Sequence, residues 1–238
     1  LVPVYNEEEV LEIFYKEITK VINSIKNYRF EILFINDGSK DNTLNLIKNI
    51  QKKDKIISYI DLSRNYGKEI AMAAGIDNVD ADAMIIIDVD LQDPPELIVE
   101  MLKFFEEGYD DVYAKRISRE GESFLKKWTS KVFYNFLEKI SKVPIQKDTG
   151  DFRLLSKKAI ISLKQLRESQ RYTKGLFSII VFKKKEILFK RKPRAAGKTK
   201  WNYVQLTNLA IEGITSFSIM PLKLTMFLGF LLFLIGIN

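Results

Sequence analysis

The sequence predicts an α/β protein with a mostly parallel, doubly wound sheet. Three observations support this fold class. Short apolar runs rich in β-branched residues alternate with stretches whose apolar residues recur at helical spacing. The alternation has the spacing of strand–helix–strand units, which lay their strands parallel. Each apolar run also ends in polar or turn-forming residues, which are typical of the loop after a strand.

The elements of the first half follow in order. The first strand, residues 1–4, ends near Asn6, which we expect to cap the next helix with Glu9 in a capping box. That helix carries an apolar stripe from Val10 to Ile25. Further strands are predicted at residues 30–36, 56–62, 85–87 and 110–116. Helices are predicted around residues 44–50, at 67–78 and at 94–107, the last with two prolines in its first turn.

The second half is less regular. Residues 124–140 and 157–166 have helical patterns, whereas "DTGDFRLLS" (148–156) indicates a turn or a short strand. A basic run at 182–200 precedes a predicted interfacial amphipathic helix at 201–221. Residues 224–238 are uncharged and apolar, but a full span needs about 20 such residues. We expect a fragment cut within its first membrane helix; a terminal helix buried in a core or at an interface is the alternative.

Composition excludes several kinds of chemistry. The chain has 238 residues with no cysteine and no histidine, which removes thiol nucleophiles, disulfides, histidine bases and Cys/His zinc sites. Any metal must therefore have oxygen ligands, which favours Mg²⁺, Mn²⁺ or Ca²⁺. The net charge of +7 indicates an anionic partner: nucleic acid, a phosphorylated ligand or an acidic membrane surface.

Polar clusters fall at the carboxyl ends of the predicted strands, where ligands bind in doubly wound sheets. The sharpest is "IIIDVDLQDPPE", in which Asp88, Asp90 and Asp93 follow a buried apolar run and need partners or a function. Residues two apart in an extended segment point the same way, so Asp88 and Asp90 can present carboxylates on one side. Such a pair suits a divalent cation that holds a diphosphate, although a solvated acidic loop is the alternative.

Seven segments, in order along nearly the whole chain, resemble the family 2 glycosyltransferases, and within them the polyprenyl-phosphate glycosyltransferases. The segments are "VPVYNEEE", "FINDGSKDNT", "SRNYGKE", "DVDLQDPPE", "YAKR", "TGDFRLLS" and "AGKTKWN...EGITSFSIMPLK". The resemblance implies a GT-A fold, a nucleotide-sugar donor and inversion at the sugar carbon. It also implies a cytoplasmic catalytic domain at residues 1–200, ahead of the interfacial helix and of a membrane region that starts at 222–238.

The resemblance also implies roles for individual residues. Asp90, with Asp88, would bind Mg²⁺ or Mn²⁺ and the donor diphosphate. The implied donor-binding residues are Pro3, Tyr5, Glu7, Asp37, Lys68, Asp88 and Gln92. One departure is Asn36, because the family usually has two acidic residues where this chain has Asn36 and Asp37. We expect Asp37 to be sufficient, since asparagine still offers hydrogen bonds.

The implied catalytic residues are Asp151, Asp90 and Arg116. Asp151 is the candidate base by analogy, but it could instead stabilise positive charge on the sugar or pair with Arg153. A lipid phosphate is already an anion, since its second pKa is about 6, and needs little help from a base. Arg116 and Arg119 are candidates to hold that phosphate, with Lys174 as a third, and solvated surface positions are the alternative.

The basic run would attract anionic lipid and marks a cytoplasmic face of the cell membrane. No nucleic-acid motif accompanies it, so we do not expect a nucleic acid as partner. The tail and the interfacial helix could also pack between copies, which would give a homo-oligomer.

We predict transfer of a hexose from a nucleotide sugar to undecaprenyl or another polyprenyl phosphate. Glucose and UDP are favoured by the resemblance of "KWN" after "AGKT" to the glucosyl branch, with N-acetylglucosamine, mannose and aminoarabinose as alternatives. Two other functions are the alternatives. A processive polysaccharide synthase would carry Q-x-x-R-W, which this chain lacks at Gln170. A non-catalytic membrane-associated nucleotide-binding protein finds support only in Asn36.

Overall fold

The computed structural model describes residues 1–117, 149–166, 173–180 and 182–190, with scattered residues of the tail (225–227, 229, 230, 233 and 236). Seven strands occur in these ranges: β1 (Val2–Val4), β2 (Ile32–Asn36), β3 (Ile57–Asp61), β4 (Ala83–Ile86), β5 (Asp111–Arg116), β6 (Thr149–Ser156) and β7 (Lys184–Phe189). The described helices are α1 (Leu11–Ser24), α2 (Thr43–Lys53), α3 (Lys68–Asn78), α4 (Leu97–Glu106), α5 (Lys157–Gln165) and α6 (Thr173–Ile179).

The strands pair in two groups, in the orders β3-β2-β1 and β4-β6-β5-β7. β1, β2 and β3 pair in parallel, as do β5 and β7. The two halves are joined at Leu1, whose terminal ammonium donates to the Ile85 carbonyl at 2.7 Å and whose carbonyl accepts from the Ile87 N–H at 3.1 Å. Only β6 among the described strands is antiparallel to its neighbours, β4 and β5. The predicted mostly parallel sheet is confirmed.

Successive strand residues point to opposite sides, so buried apolar residues in the strands give the sheet two apolar faces, and helices cover both. Phe34 belongs to the apolar cluster beneath α1, α2 and α4, whereas its neighbour Ile35 belongs to the cluster beneath α3, α5 and α6. Both side chains are fully buried, and each such burial contributes about 1.5–3 kcal/mol. This two-sided covering confirms the doubly wound arrangement and leaves the loops at the carboxyl ends of the strands to form a site.

One local prediction was wrong, and another was right in type but too short. Helix α1 begins at Leu11 with no side-chain cap, and Asn6 instead accepts a hydrogen bond from the Lys40 N–H at 2.7 Å. The segment 149–156 is an eight-residue, fully buried central strand, longer than the turn or short strand predicted. Asp151 and Arg153 hide this strand in the sequence, since charged residues are uncommon in a central strand unless they are paired.

Several predicted segments lie outside the described residues, among them 124–140, the interfacial helix 201–221 and most of the tail at 222–238. Within the ranges that the structure does describe, no helix is both long and apolar enough to cross a membrane.

Candidate active site

The loops after β1 and β2 are bonded to each other. The Asn6 N–H donates to Ser39 Oγ at 2.9 Å, and the Glu7 N–H donates to Thr43 Oγ1 at 2.8 Å. Asn6 adopts a left-handed backbone conformation (φ 51°), which asparagine tolerates better than most residues. Tyr5 and Glu7 are half-buried in this wall, and Pro3 lies within β1 opposite Ile35. The predicted donor-binding residues Pro3, Tyr5 and Glu7 therefore lie in β1 or just after it, at the carboxyl end of the parallel strands, which we call the rim.

Asp37, at the end of β2, holds the loop that precedes α3. Its carboxylate is 3% exposed and accepts from the Tyr66 N–H at 2.7 Å and the Gly67 N–H at 2.9 Å. Gly38 follows in a left-handed conformation (φ 63°), and a Cβ there would lie 2.3 Å from the Arg64 carbonyl carbon. Asp37 thus lies on the predicted rim, but both of its oxygens are engaged by the backbone of residues 66 and 67.

Lys68, the first residue of α3, bridges the carboxylates of Asp88, in the loop after β4, and Asp151, in β6. Its Nζ lies 2.6 Å from Asp88 Oδ1 and 2.6 Å from Asp151 Oδ2. Burial alone would lower the pKa of Lys68, but the charges of Asp151 and Asp88 outweigh it and raise that pKa above its ordinary value. Lys68 was predicted to face a base or phosphates; in this structure its ammonium offsets the repulsion between the two acids.

Asp88 and Asp90 have different surroundings. Strand β4 ends at Ile86 and the chain turns at residues 89 and 90, so the extended geometry expected from the spacing ends before Asp90. Asp90 is 5% exposed and its Oδ1 accepts from the Gln92 N–H at 3.1 Å. Between them Leu91 has φ 57°, a conformation that costs a non-glycine residue about 1 kcal/mol or more. The strained turn fixes Asp90 and Gln92 beside each other.

Arg116, at the end of β5, lies against Asp93, which is in the same loop after β4 as Asp88 and Asp90. Its Nη2 is 3.8 Å from Oδ1 of Asp93, which is only 1% exposed. Gly150 leaves the room for this side chain, since a Cβ there would lie 3.0 Å from the Arg116 Nη2 and 3.6 Å from Asp93 Oδ2. The arginine predicted to hold a phosphate is therefore oriented by Asp93 and by the missing side chain at Gly150.

Glu69 connects the site to α6. Its Oε2 accepts from the Thr173 N–H at 2.7 Å and also from the Thr173 hydroxyl. Burial first, and then the charge of Asp151, raise the pKa of Glu69, while Thr173 and Lys68 oppose the shift. Lys174 follows Thr173 in α6, but its side chain lies outside the described part of the structure, as does all of Arg119.

Arg153 shares β6 with Asp151 and forms a fully buried ion pair. Its Nη1 donates to Asp111 Oδ2 at 3.1 Å, and its guanidinium lies 3.8 Å from the centre of the Phe177 ring. Lys184 Nζ is 3.9 Å from the same carboxylate. The described ion-pair partner of Arg153 is thus Asp111, while Asp151 pairs with Lys68.

Two lysines of the basic run, Lys183 and Lys185, lie away from the candidate site. Lys183 lies 4.1 Å from the centre of the Tyr109 ring and Lys185 lies 4.7 Å from that of Phe104. Both flank the start of β7, which pairs with Asp111 rather than with Arg116 at the other end of β5. At about 3.3 Å per residue the two ends of these strands are roughly 17 Å apart. Lys183 and Lys185 therefore lie near the amino ends of β5 and β7, whereas the candidate site lies at the carboxyl ends.

An oxygen-only metal site suits the residues present at the rim. Asp90 and the side-chain oxygen of Gln92 are hard ligands held in one turn, and Mg²⁺ commonly takes one or two carboxylates with the rest from substrate phosphates and water. Asp88 is already neutralised by Lys68, which would compete with a metal for it. Across the described ranges, no group of three His, Cys, Asp or Glu side chains is arranged to hold a metal ion.

Three residues near the site were not predicted: Glu69, Asp93 as the partner of Arg116, and Asp61 at the end of β3. Asp93 stood within the acidic stretch, and Asp61 is the second-last residue of a predicted strand, so their positions could have been inferred. The bond from Glu69 to Thr173 spans 104 residues, and no local pattern indicates it.

Comparison with known proteins agrees with this fold. The sequence model of Glycosyl transferase family 2 matches residues 1–163. An uncharacterized glycosyltransferase of Synechocystis is 45% identical over 237 residues, covering 100% of this chain and 74% of the relative. A prophage bactoprenol glucosyl transferase homolog of Escherichia coli is 42% identical over 229 residues, covering 96% and 74% of the two chains.

The chain belongs to glycosyl transferase family 2. A solved structure with a similar fold is glucosyl-3-phosphoglycerate synthase of Mycobacterium tuberculosis, in complex with Mn²⁺, UDP-glucose and phosphoglyceric acid. It has a TM-score of 0.56 and 16% identity, over 90% of this chain and 75% of the other. At that identity the likeness concerns the fold, and it agrees with the GT-A type expected from the sequence.

Proposed function

We propose that this protein transfers glucose from UDP-glucose to a polyprenyl phosphate such as undecaprenyl phosphate, with inversion at the sugar carbon. The observation that carries the proposal is the 42% identity, over nearly the whole chain, to a relative named as a bactoprenol glucosyl transferase homolog. The acids and cations at the rim support it, because the reaction brings two phosphate-bearing substrates together at C1 of the sugar.

The donor end of the site would use the turn at Asp90. Asp90 and Gln92 would hold Mg²⁺ or Mn²⁺, with Asp88 as a further candidate ligand. When bound, the metal supplies positive charge that stabilises the departing nucleoside diphosphate. The fold neighbour crystallised with Mn²⁺ and UDP-glucose supports a divalent ion without choosing between Mg²⁺ and Mn²⁺. Lys68 adds a fixed positive charge at the same rim.

The acceptor end would use Arg116. An oxygen of the lipid phosphate forms the bond to C1 of glucose while the bond from C1 to the β-phosphate oxygen of UDP breaks, and its electron pair leaves with UDP. Arg116 suits a phosphate because its guanidinium offers several donors in one plane. Asp93 and Gly150 fix where that guanidinium lies. The resulting pre-alignment is the main catalytic contribution expected of this end of the site.

Asp151 would act as a fixed negative charge near the sugar. The acceptor phosphate is already ionised, so its oxygen has no proton that must be removed. The Lys68 ammonium at 2.6 Å favours the carboxylate form of Asp151, which suits stabilising positive charge on C1 better than taking up a proton. Among the alternatives left by the sequence, this contact favours charge stabilisation.

A membrane location is part of the proposal. The acceptor is a lipid, the tail is apolar, and UDP-sugars are cytosolic, so the catalytic domain would lie on the cytoplasmic side of the cell membrane. Lys190, at the end of β7 nearer the site, would lie closer to an anionic membrane surface than Lys183 or Lys185. A homo-oligomer formed through the tail stays a prediction.

The test is transfer of label into lipid. The protein in membranes would be incubated with undecaprenyl phosphate and radiolabelled UDP-glucose, UDP-N-acetylglucosamine or GDP-mannose, with Mg²⁺, Mn²⁺ or EDTA. We expect label in lipid from UDP-glucose, lost with EDTA and in Asp90→Asn. The matched control is Asp80→Asn, which removes the same charge from a side chain that is 96% exposed, ahead of β4 at the opposite edge. Retained nucleotide binding with no transfer from any donor would refute the proposal.

A further inference from the structure

Asp61 is an exposed carboxylate on the same rim, oriented by a buried amide. It ends β3 directly opposite Asn36 of β2 in the parallel register. Asn36 is 1% exposed, and its Nδ2 donates to Asp61 Oδ1 at 2.7 Å. The Asn36 carbonyl also accepts from the Leu62 N–H at 2.9 Å, which fixes the backbone just after Asp61. An exposed carboxylate held this firmly is ready to accept a hydrogen bond from a ligand.

The neighbouring acid has a different task. Both oxygens of Asp37 accept backbone N–H groups of the loop before α3, and its side chain is buried. Asp37 therefore serves the loop that delivers Lys68 to the site. Of the two acids at the ends of β2 and β3, Asp61 is exposed and Asp37 is buried, so Asp61 is the one that a ligand could reach.

The distance from Asp61 to the Lys68 cluster suits a nucleotide. In the sheet order, β3 and β4 are three strand spacings apart, which is about 14 Å. That span is comparable with an extended nucleoside diphosphate, whose base and terminal phosphate lie at opposite ends. A donor with its diphosphate near Asp88 and Asp90 could place its base at the outer strands of the rim.

We infer that Asp61, positioned by Asn36, accepts a hydrogen bond from an N–H on the edge of the donor's base and favours uracil over guanine. The inference rests on the proposed function and assigns a specificity residue to its donor site. Uracil offers a single ring N–H between two carbonyls, whereas guanine offers adjacent donors that a carboxylate with two open oxygens binds as a fork. Because Asn36 engages Oδ1, Asp61 presents mainly Oδ2, which matches one donor.

Asn36 also gives Asp61 a hydrogen-bond donor that an acid could not give. An aspartate at position 36 would bring two carboxylates into contact, and their like charges would repel each other. The amide instead pairs with Asp61 without adding a charge. The departure from the acidic pair expected at positions 36 and 37 thus has a structural counterpart on the next strand.

The experiment measures binding of UDP and GDP, each with Mg²⁺, to the purified protein by calorimetry. For Asp61→Asn we expect the Kd for UDP to rise about 10- to 100-fold, the usual range for losing a hydrogen bond to a charged group. The preference for UDP over GDP should fall with it. Asp80→Asn, the matched loss of one exposed carboxylate, should leave both affinities unchanged.

A double variant separates base recognition from a structural role. Asn36→Asp with Asp61→Asn restores an amide–carboxylate pair between β2 and β3 but moves the acid to the buried position. If Asp61 reads the base, the swap recovers thermal stability without recovering UDP affinity. Recovery of UDP affinity by the swap, or unchanged affinity in Asp61→Asn, would overturn the inference while the proposed function stood. An unaltered protein that binds neither nucleotide would overturn both.

Discussion

Replacing Lys68 by methionine should destabilise the protein far more than an ordinary lysine substitution. Lys68 lies 2.6 Å from both Asp88 and Asp151, and its loss would leave two carboxylates facing each other, one of them in a side chain only 10% exposed. Removing one partner of a buried ion pair costs about 3–5 kcal/mol, and an exposed pair is worth at most about 1 kcal/mol. Since a third of the Lys68 side chain is exposed, we expect a loss of about 2–4 kcal/mol.

The assay is urea unfolding of the purified protein, followed by tryptophan fluorescence with and without Mn²⁺. Lys115→Met is the matched control, because the ion pair of Lys115 with Glu186, at 2.9 Å, has both side chains more than a third exposed. It should cost less than about 1 kcal/mol. Mn²⁺ should stabilise Lys68→Met more than the unaltered protein, since a cation can then take the place of the ammonium.

Two results would refute this reasoning. Equal losses in Lys68→Met and Lys115→Met would mean that the bridge contributes nothing beyond a surface pair. Stabilisation by Mn²⁺ of the same size in both proteins would mean that Lys68 does not compete with a cation for Asp88.

Three further predictions follow from other contacts. Burial raises the pKa of Glu69, so the stability that this side chain contributes is fully present below pH 4.5, its usual pKa, and is lost as the pH rises through the raised pKa. Between pH 4.5 and 7.5, the free energy of unfolding of Glu69→Gln, measured in urea, should therefore increase relative to that of the unaltered protein. A difference that does not change with pH would contradict this. Gly150→Ala should displace Arg116 and raise the KM for lipid phosphate several-fold at unchanged UDP affinity, whereas a weakened UDP affinity would point to the donor instead. Arg153→Met should cost about 3–5 kcal/mol in urea unfolding, and adding Asp111→Leu should restore part of it; no recovery would mean that packing, rather than the stranded charge, sets the loss.

The fold was predictable where local pattern and tertiary structure agree. The first five strands and four helices follow apolar periodicity, and the observed bounds differ from the predicted ones by a few residues at most. Strand β6 was predicted only as a turn or short strand because its charged residues are satisfied by Lys68 and Asp111, which lie far away in the chain. Periodicity carries no information about such partners.

The location of the candidate site could be predicted from the sequence, but the contacts between its residues could not. Strand ends in a parallel sheet share one rim, so Asp88, Asp90 and Arg116 could be located from their positions after predicted strands. The sequence could not show that Lys68 joins Asp88 to Asp151, because that choice depends on which loops approach each other. The resemblance also implied donor binding by Asp37, without showing that backbone N–H groups already engage its oxygens.

The position of β6 has a consequence for how the protein is made. β4 and β5 leave the ribosome before β6, yet each bonds to β6 and neither bonds to the other. A nascent chain that ends at residue 148 cannot close its sheet, and Asp111 lacks the guanidinium that neutralises it in the finished protein. Insertion of β6 joins β4 to β5 and delivers Asp151 to Lys68 in one event. The centre of the sheet and the Lys68 bridge of the site are thereby formed in the same step.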